Sequence, residues 1–96
     1  MVLAGEVLVL DARLPGDFDS GHLPGAVSFP NASRSEAFYE LAALLQPEQA
    51  LLVYCSGKTC DDALQLALFL REQGSKKIHL FADGFPAWKE AGLPIE

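Results

Sequence analysis

The stretch from Leu51 to Gly74, LLVYCSGKTCDDALQLALFLREQG, constrains the fold of this chain more than any other. An apolar run, Leu51-Leu52-Val53-Tyr54, stops at Cys55; a small polar loop, Ser56-Gly57-Lys58-Thr59-Cys60, then leads through Asp61-Asp62 into a helical pattern. Strand, loop and helix in that order point to a parallel α/β sheet. There, ligands bind at the carboxyl end of a strand, because free backbone N–H groups and the dipole of the next helix converge on that crevice. The same donors stabilise a thiolate and lower a cysteine from about 8.5 toward neutrality. Cys55, the first residue after the strand, is therefore read as a nucleophile with a lowered pKa. Gly57 permits the close backbone approach a cradle needs, and Lys58 adds a cation. The reading left open beside this one is a buried cysteine serving as a small hydrophobe.

Ninety-six residues make one domain, and half of them are hydrophobic. Folding such a chain removes roughly 60–65% of its surface from water, so a single core is expected. No apolar run approaches the ~20 residues of a membrane span, and the N-terminus lacks the basic, then apolar, pattern of a secretion signal. The expectation is a soluble chain, cytoplasmic as written. Thirteen acids against seven bases give a net charge of −6 with no basic cluster, which argues against nucleic-acid or anionic-lipid partners. A small ligand is expected instead. Cys55, Cys60, His22 and His79 match no standard zinc spacing, so no metal and no cofactor is expected. Two cysteines are not a disulfide framework either, and a Cys55–Cys60 bridge would serve function rather than structure.

In chain order, Val7-Leu8-Val9-Leu10 is apolar on both pleat faces, as in a strand covered on both sides. It ends at Asp11-Ala12-Arg13, where the two charges are read as a local salt bridge or cap. Leu14 to Ser20 predicts a turn and a short helical turn, Gly21 to Ala26 a fixed loop, and Ala26 to Phe29 a short strand. Histidine is the residue type most often used as a general acid or base, but His22 has no general-base partner nearby in sequence, so its expected role is a loop-fixing hydrogen bond. Ser33 to Glu36 offers a capping box for a helix with apolar positions Ala37, Phe38, Leu41, Leu44 and Leu45, ended by Pro47. The helix from Asp61 to Gln73 carries so narrow a polar stripe that it is expected to be mostly buried, and Gly74 stops it. A strand at Ile78 to Phe81, a turn, and a last helix from Pro86 to Ala91 complete the chain. The alternation predicts an α/β domain of three layers, α/β/α, with a mainly parallel sheet of about four to five strands.

Four separated segments also resemble one family. They are Asp11-Ala12-Arg13, Phe18-Asp19-Ser20-Gly21-His22-Leu23-Pro24-Gly25-Ala26-Val27, Val53-Tyr54-Cys55 with its loop, and Asp83-Gly84-Phe85-Pro86-Ala87-Trp88-Lys89-Glu90-Ala91-Gly92-Leu93-Pro94-Ile95. In this order, over nearly the whole chain, they resemble the rhodanese-like domain. The resemblance implies a sulfurtransferase in which a cysteine carries sulfane sulfur as a persulfide. Cys55 matches that cysteine; Ser56, Gly57, Lys58, Thr59, Cys60 and Asp61 match the substrate-binding loop; Asp11, Arg13 and His22 match motifs that are mainly structural. The implied partners are a small sulfur-containing donor and a thiol acceptor, with a protein acceptor as a further candidate. Because the first strand begins near residue 6, where the family has leading chain, a domain cut from a longer protein is expected.

The departures from the family's pattern carry expectations of their own. Many members place an arginine five residues after the cysteine; here that position is Cys60, followed by Asp61 and Asp62. Weak thiosulfate activity is expected, with a preference for other donors. Cys60 is a candidate resolving thiol, able to close a disulfide with Cys55, or else a buried spectator. The alternatives are thus a thiol-disulfide redox domain or a catalytically weak interaction or regulatory module. Phosphatases and arsenate reductases share the fold, but this loop is short and lacks their arginine. Asp83 stands where the family usually has glycine, so its turn must avoid a positive φ or tolerate strain.

Overall fold

The computed structural model describes residues 7–57 and 60–95. Four strands, Val7–Asp11 (β1), Val27–Ser28 (β2), Ala50–Tyr54 (β3) and Lys77–Phe81 (β4), form one sheet in the order β2-β1-β3-β4. Every pairing is parallel, with Leu10 opposite Val27 and Val53, and Val53 opposite Leu80. Among the described residues, the α-helices Pro15–Ser20 (α1), Arg34–Leu41 (α2) and Asp62–Glu72 (α3) connect them, and Gly84–Glu90 (α4) follows β4.

The apolar residues on both faces of β1 and β3 decide the layering. Leu8, Leu10, Leu51 and Val53 face a core completed by Phe38, Leu41, Leu66, Phe69 and Leu70 from α2 and α3. Their neighbours Val7, Val9, Leu52 and Tyr54 face the opposite core, with Leu23, Phe85 and Trp88. Alternate residues of a strand point to opposite faces, and a parallel sheet buries both. The result is the expected three-layer α/β/α arrangement.

A buried polar network fastens the ends of β1 and β3. Asp11 is fully buried and accepts from the Arg13 guanidinium at 2.7 and 3.0 Å, from the Arg13 N–H at 2.9 Å and from the Tyr54 hydroxyl at 2.8 Å. Tyr54 Oη in turn accepts from the Leu23 N–H at 3.1 Å, and Arg13 also donates to the Gly21 carbonyl at 2.7 Å. Burial opposes the Arg13 charge, but the Asp11 hydrogen bonds and charge outweigh it and raise its pKa. Burial first, then Asp11, pushes the Tyr54 phenol far above its ordinary range. Replacing Tyr54 with phenylalanine leaves the Leu23 N–H unpaired and takes one donor from Asp11, so a loss of about 1–3 kcal/mol is expected. Urea denaturation will show it as a lower midpoint at unchanged slope.

Local expectations fare unevenly. The Ser33 side chain caps nothing; instead a 3₁₀ turn at Asn31–Ser33 leads into α2, and Arg34 donates to the Asn31 carbonyl at 3.0 Å. α2 stops at Leu41 and a 3₁₀ turn, Ala42–Leu44, carries the chain on toward Pro47. α3 is less buried than its composition predicts: Ala63, Leu66 and Leu70 are buried, whereas Leu64 is 47% and Leu68 50% exposed. A helix lying on one face of a sheet presents only one stripe to it, and β4 is the edge strand, so the outer stripe of α3 has no further strand beneath it. α4 begins at Gly84, two residues before the expected start.

Candidate functional site

The carboxyl ends of β1 and β3 and the amino end of α3 meet at Cys55. The Tyr54 carbonyl accepts from the Ala12 N–H at 2.9 Å, and the Cys55 carbonyl accepts from the Phe85 N–H at 2.9 Å. Phe85 lies under the Arg13 guanidinium, 4.4 Å from carbon to ring centre, a cation–π contact that ties the buried network to this turn. Gly84 has φ +71°, and its α-carbon sits so near Gly57 that an added Cβ would lie 2.6 Å from the Gly57 nitrogen. Asp83 beside it is at φ −73°, so the positive φ required by the turn falls on glycine and the aspartate is unstrained. The loop after β3 is thus pinned from below by the 83–85 turn.

The amino end of α3 is held from the other side. Asn31, buried at the start of its 3₁₀ turn, donates from Nδ2 to Asp62 Oδ1 at 3.2 Å and to Gln65 Oε1 at 3.0 Å. Asp61 occupies the N-cap position without a side-chain cap, and Asp62 opens the first turn, where an acid is favourable to the dipole. Asn31 was invisible as a positioning residue from the sequence alone; the signal available was a lone Pro30-Asn31 after a short strand.

Cys55 is 3% exposed and Cys60 half-buried; both thiols are free. Cys55 Sγ lies 3.4 Å from the Cys60 carbonyl oxygen, and the Cys60 N–H donates to the Gly57 carbonyl at 3.0 Å. Backbone N–H groups of Ala63 and Gly57 point at Cys55 Sγ. Those of Ser56 and Asp62, with the Ser56 hydroxyl, act on Cys60 Sγ, and the two thiols influence each other's ionisation. The loop is therefore a cradle for two sulfurs. Asp62 Oδ2 stands 3.6 Å from Cys60 Sγ.

The electrostatics correct the sequence reading of Cys55. Burial pushes its thiol up, the hydrogen bond and charge of Cys60 add to this, and the Ala63 and Gly57 amides offset only part. At Cys60 burial also opposes ionisation, but the hydrogen bond from Cys55 and the amides of Ser56 and Asp62 outweigh it and the pKa falls. The nearby Asp62 carboxylate favours the neutral thiol, yet the donors prevail. The first proton lost belongs to the pair, and the resulting charge rests on Cys60, while the Cys55 thiol donates to the Cys60 carbonyl. Alkylation should follow that order. Iodoacetamide is expected to modify Cys60 first, with a midpoint below the ordinary cysteine range, whereas in Cys60→Ala the Cys55 thiol loses the hydrogen bond and charge of Cys60 that raise it and should react with a midpoint below its wild-type one. Peptide mapping across pH reads both.

Both cysteines open on one pocket of 150 Å³, lined also by Gly57, Asp61, Leu64, Leu80 and Phe81. No lysine or arginine is among the described lining residues; Lys58 and Thr59 lie outside the described residues. Ser56 and Gly57 form the loop, with Gly57 at φ +132°. His22 stands apart: its Nδ1–H donates to the Phe18 carbonyl at 2.9 Å and its ring stacks on Phe18 at 3.8 Å. Asp11 and Arg13 lie beneath the site in the buried network, without lining the pocket. Among the described residues no group of three potential ligands could hold a metal, and no helix is long and apolar enough to cross a membrane.

Residues 1–91 match the rhodanese-like domain model. The chain is 31% identical over 93 residues to an HTH-type transcriptional regulator of Mycobacterium tuberculosis, covering 97% of this chain and 39% of the regulator. It is 29% identical to a thiosulfate sulfurtransferase of Pseudoalteromonas translucida, covering 90% of this chain and 76% of that protein. A solved rhodanese-like domain from Anabaena sp. superposes with a TM-score of 0.80 at 26% identity, over 94% of this chain and 98% of that one.

Proposed function

Since the chain belongs to the rhodanese-like domain family, we propose that it is a sulfurtransferase domain that carries sulfane sulfur on Cys55 and passes it to a thiol. The observation that supports this most is the placement of Cys55, at the end of β3 with the Gly57 and Ala63 amides aimed at its sulfur and a small pocket before it. Cys55 gives its proton to Cys60 and attacks the terminal sulfur of a donor. A sulfur–sulfur bond of the donor breaks, and sulfite or a shortened polysulfide leaves with the electron pair. The cradle amides stabilise the persulfide anion. An acceptor thiolate then attacks the outer sulfur, forming an acceptor persulfide and returning the Cys55 thiolate.

The pocket selects among donors. Its 150 Å³ lies well below the ~300 Å³ of sites for drug-sized ligands, and its described walls are apolar apart from Asp61. An inorganic polysulfide meets those walls at lower cost than thiosulfate, whose sulfonate end finds no cation among the described lining residues. A missing charged hydrogen bond is worth about 1.5–3 kcal/mol, so transfer from polysulfide to a small thiol is expected to outpace transfer from thiosulfate roughly tenfold or more. Equal or faster turnover with thiosulfate would contradict this specificity.

A regulatory module is a second reading, favoured by the 31% identity to a transcriptional regulator of which the chain spans 39%. The two readings meet if sulfur loading is itself the signal. The chain's own sulfur chemistry separates them from a sulfur-inactive module.

A further inference from the structure

We propose that Cys60 is a resolving thiol: it expels the sulfur loaded on Cys55 as hydrosulfide and closes a Cys55–Cys60 disulfide, so that the domain senses sulfane sulfur when no acceptor is present. The inference rests on the sulfur-carrier reading of Cys55. It stands on geometry. The loop folds the Cys60 carbonyl to within 3.4 Å of Cys55 Sγ, a turn from Gly57 to Cys60 closes at 3.0 Å, and both sulfurs open on the same pocket. The Cys55 thiol thus already donates to the backbone of the residue that would resolve it. The disulfide needs the two sulfurs brought to the bonding distance of about 2.05 Å.

The step balances without an external oxidant. Cys60 thiolate attacks Cys55 Sγ of the persulfide; the bond from Sγ to the outer sulfur breaks, and HS⁻ leaves with the electron pair. Cys55 and Cys60 are each oxidised to the disulfide level by the sulfane sulfur, which is reduced to sulfide. Two small thiols restore the pair, yielding the dithiol and their own disulfide. The ionisation preference supports the direction of attack, because the charge of the pair rests on the half-buried Cys60 rather than on Cys55. An intramolecular thiol also outcompetes a dilute acceptor, since effective concentrations inside one molecule reach millimolar and above. Acceptor concentration thus sets whether loaded sulfur is delivered or released.

The test uses wild type, Cys60→Ser and Cys60→Ala, each incubated anaerobically with inorganic polysulfide and then freed of it, with no thiol added. Intact mass and trapped hydrosulfide are read together, and circular dichroism verifies that each variant is folded. Wild type is expected to lose two hydrogens, retain no sulfur and release one hydrosulfide per chain. Both Cys60 variants should instead retain one added sulfur and release none until a thiol is supplied. Wild type that keeps its sulfur as the variants do, or that forms a disulfide only between chains, overturns the resolving role and leaves the carrier reading standing. Folded Cys60 variants that take up no sulfur overturn the carrier reading, and the resolving role with it.

Discussion

Replacing Gly84 with alanine is expected to destabilise the domain by about 2–5 kcal/mol and to slow sulfur transfer roughly tenfold or more. Two costs add. The residue sits at φ +71°, a left-handed conformation that strains any L side chain. The new Cβ would also drive into the Cys55 carbonyl oxygen and the backbone of Gly57, 2.6 Å from its nitrogen and 3.0 Å from its α-carbon. These are backbone atoms of the sulfur cradle, so no rotamer change relieves the clash. The loop must move, and the Phe85-to-Cys55 hydrogen bond at 2.9 Å moves with it. Chemical denaturation and the rate of transfer from polysulfide to a small thiol measure the two effects. Gly16 is the control: nothing lies within 4 Å of its Cβ position, in the first turn of α1, and alanine there should be neutral or stabilising by up to ~1 kcal/mol. A Gly84→Ala protein with wild-type stability and rate would mean that the turn does not hold the cradle.

The second large effect is chemical rather than structural. Cys55→Ser is expected to abolish sulfur loading and transfer while changing stability by no more than about 1 kcal/mol. Serine is nearly isosteric, and its hydroxyl finds an acceptor where Cys55 Sγ now meets the Cys60 carbonyl at 3.4 Å. It cannot carry a persulfide, and Cys60 cannot replace it. Cys60 shares the cradle, but the Asp62 carboxylate 3.6 Å from its sulfur opposes the larger charge-bearing group that a persulfide would place there. Persistent transfer by a folded Cys55→Ser protein would move the sulfur carrier to Cys60.

What the sequence made legible follows from how each feature is encoded. The strands of the sheet were readable because residues such as Val7 to Leu10 and Leu51 to Tyr54 are apolar on both faces, a pattern that a parallel, twice-covered sheet demands. Cys55 was readable as a candidate because its position after β3 is a matter of chain order alone. The sign of its pKa shift was not. It depends on Cys60, five residues on, folding back to share a hydrogen bond and hold the charge, and no local pattern encodes that loop closure. Gly84 was likewise quoted within a motif without its role, since only the packing of the 83–85 turn against Gly57 reveals why a side chain cannot stand there. The exposure of Leu64 and Leu68 escaped notice because composition reports how apolar a helix is and not how much sheet lies beneath it.

The central claim is that Cys55 holds the sulfur, and Cys60→Ser isolates it by removing the thiol that would discharge the load. This variant, treated with inorganic polysulfide, alkylated and digested, is to be read by peptide mass spectrometry. One added sulfur on the peptide containing Cys55, absent from the double variant Cys55→Ser/Cys60→Ser, is the predicted result. A folded Cys60→Ser protein whose Cys55 peptide gains no sulfur would contradict it.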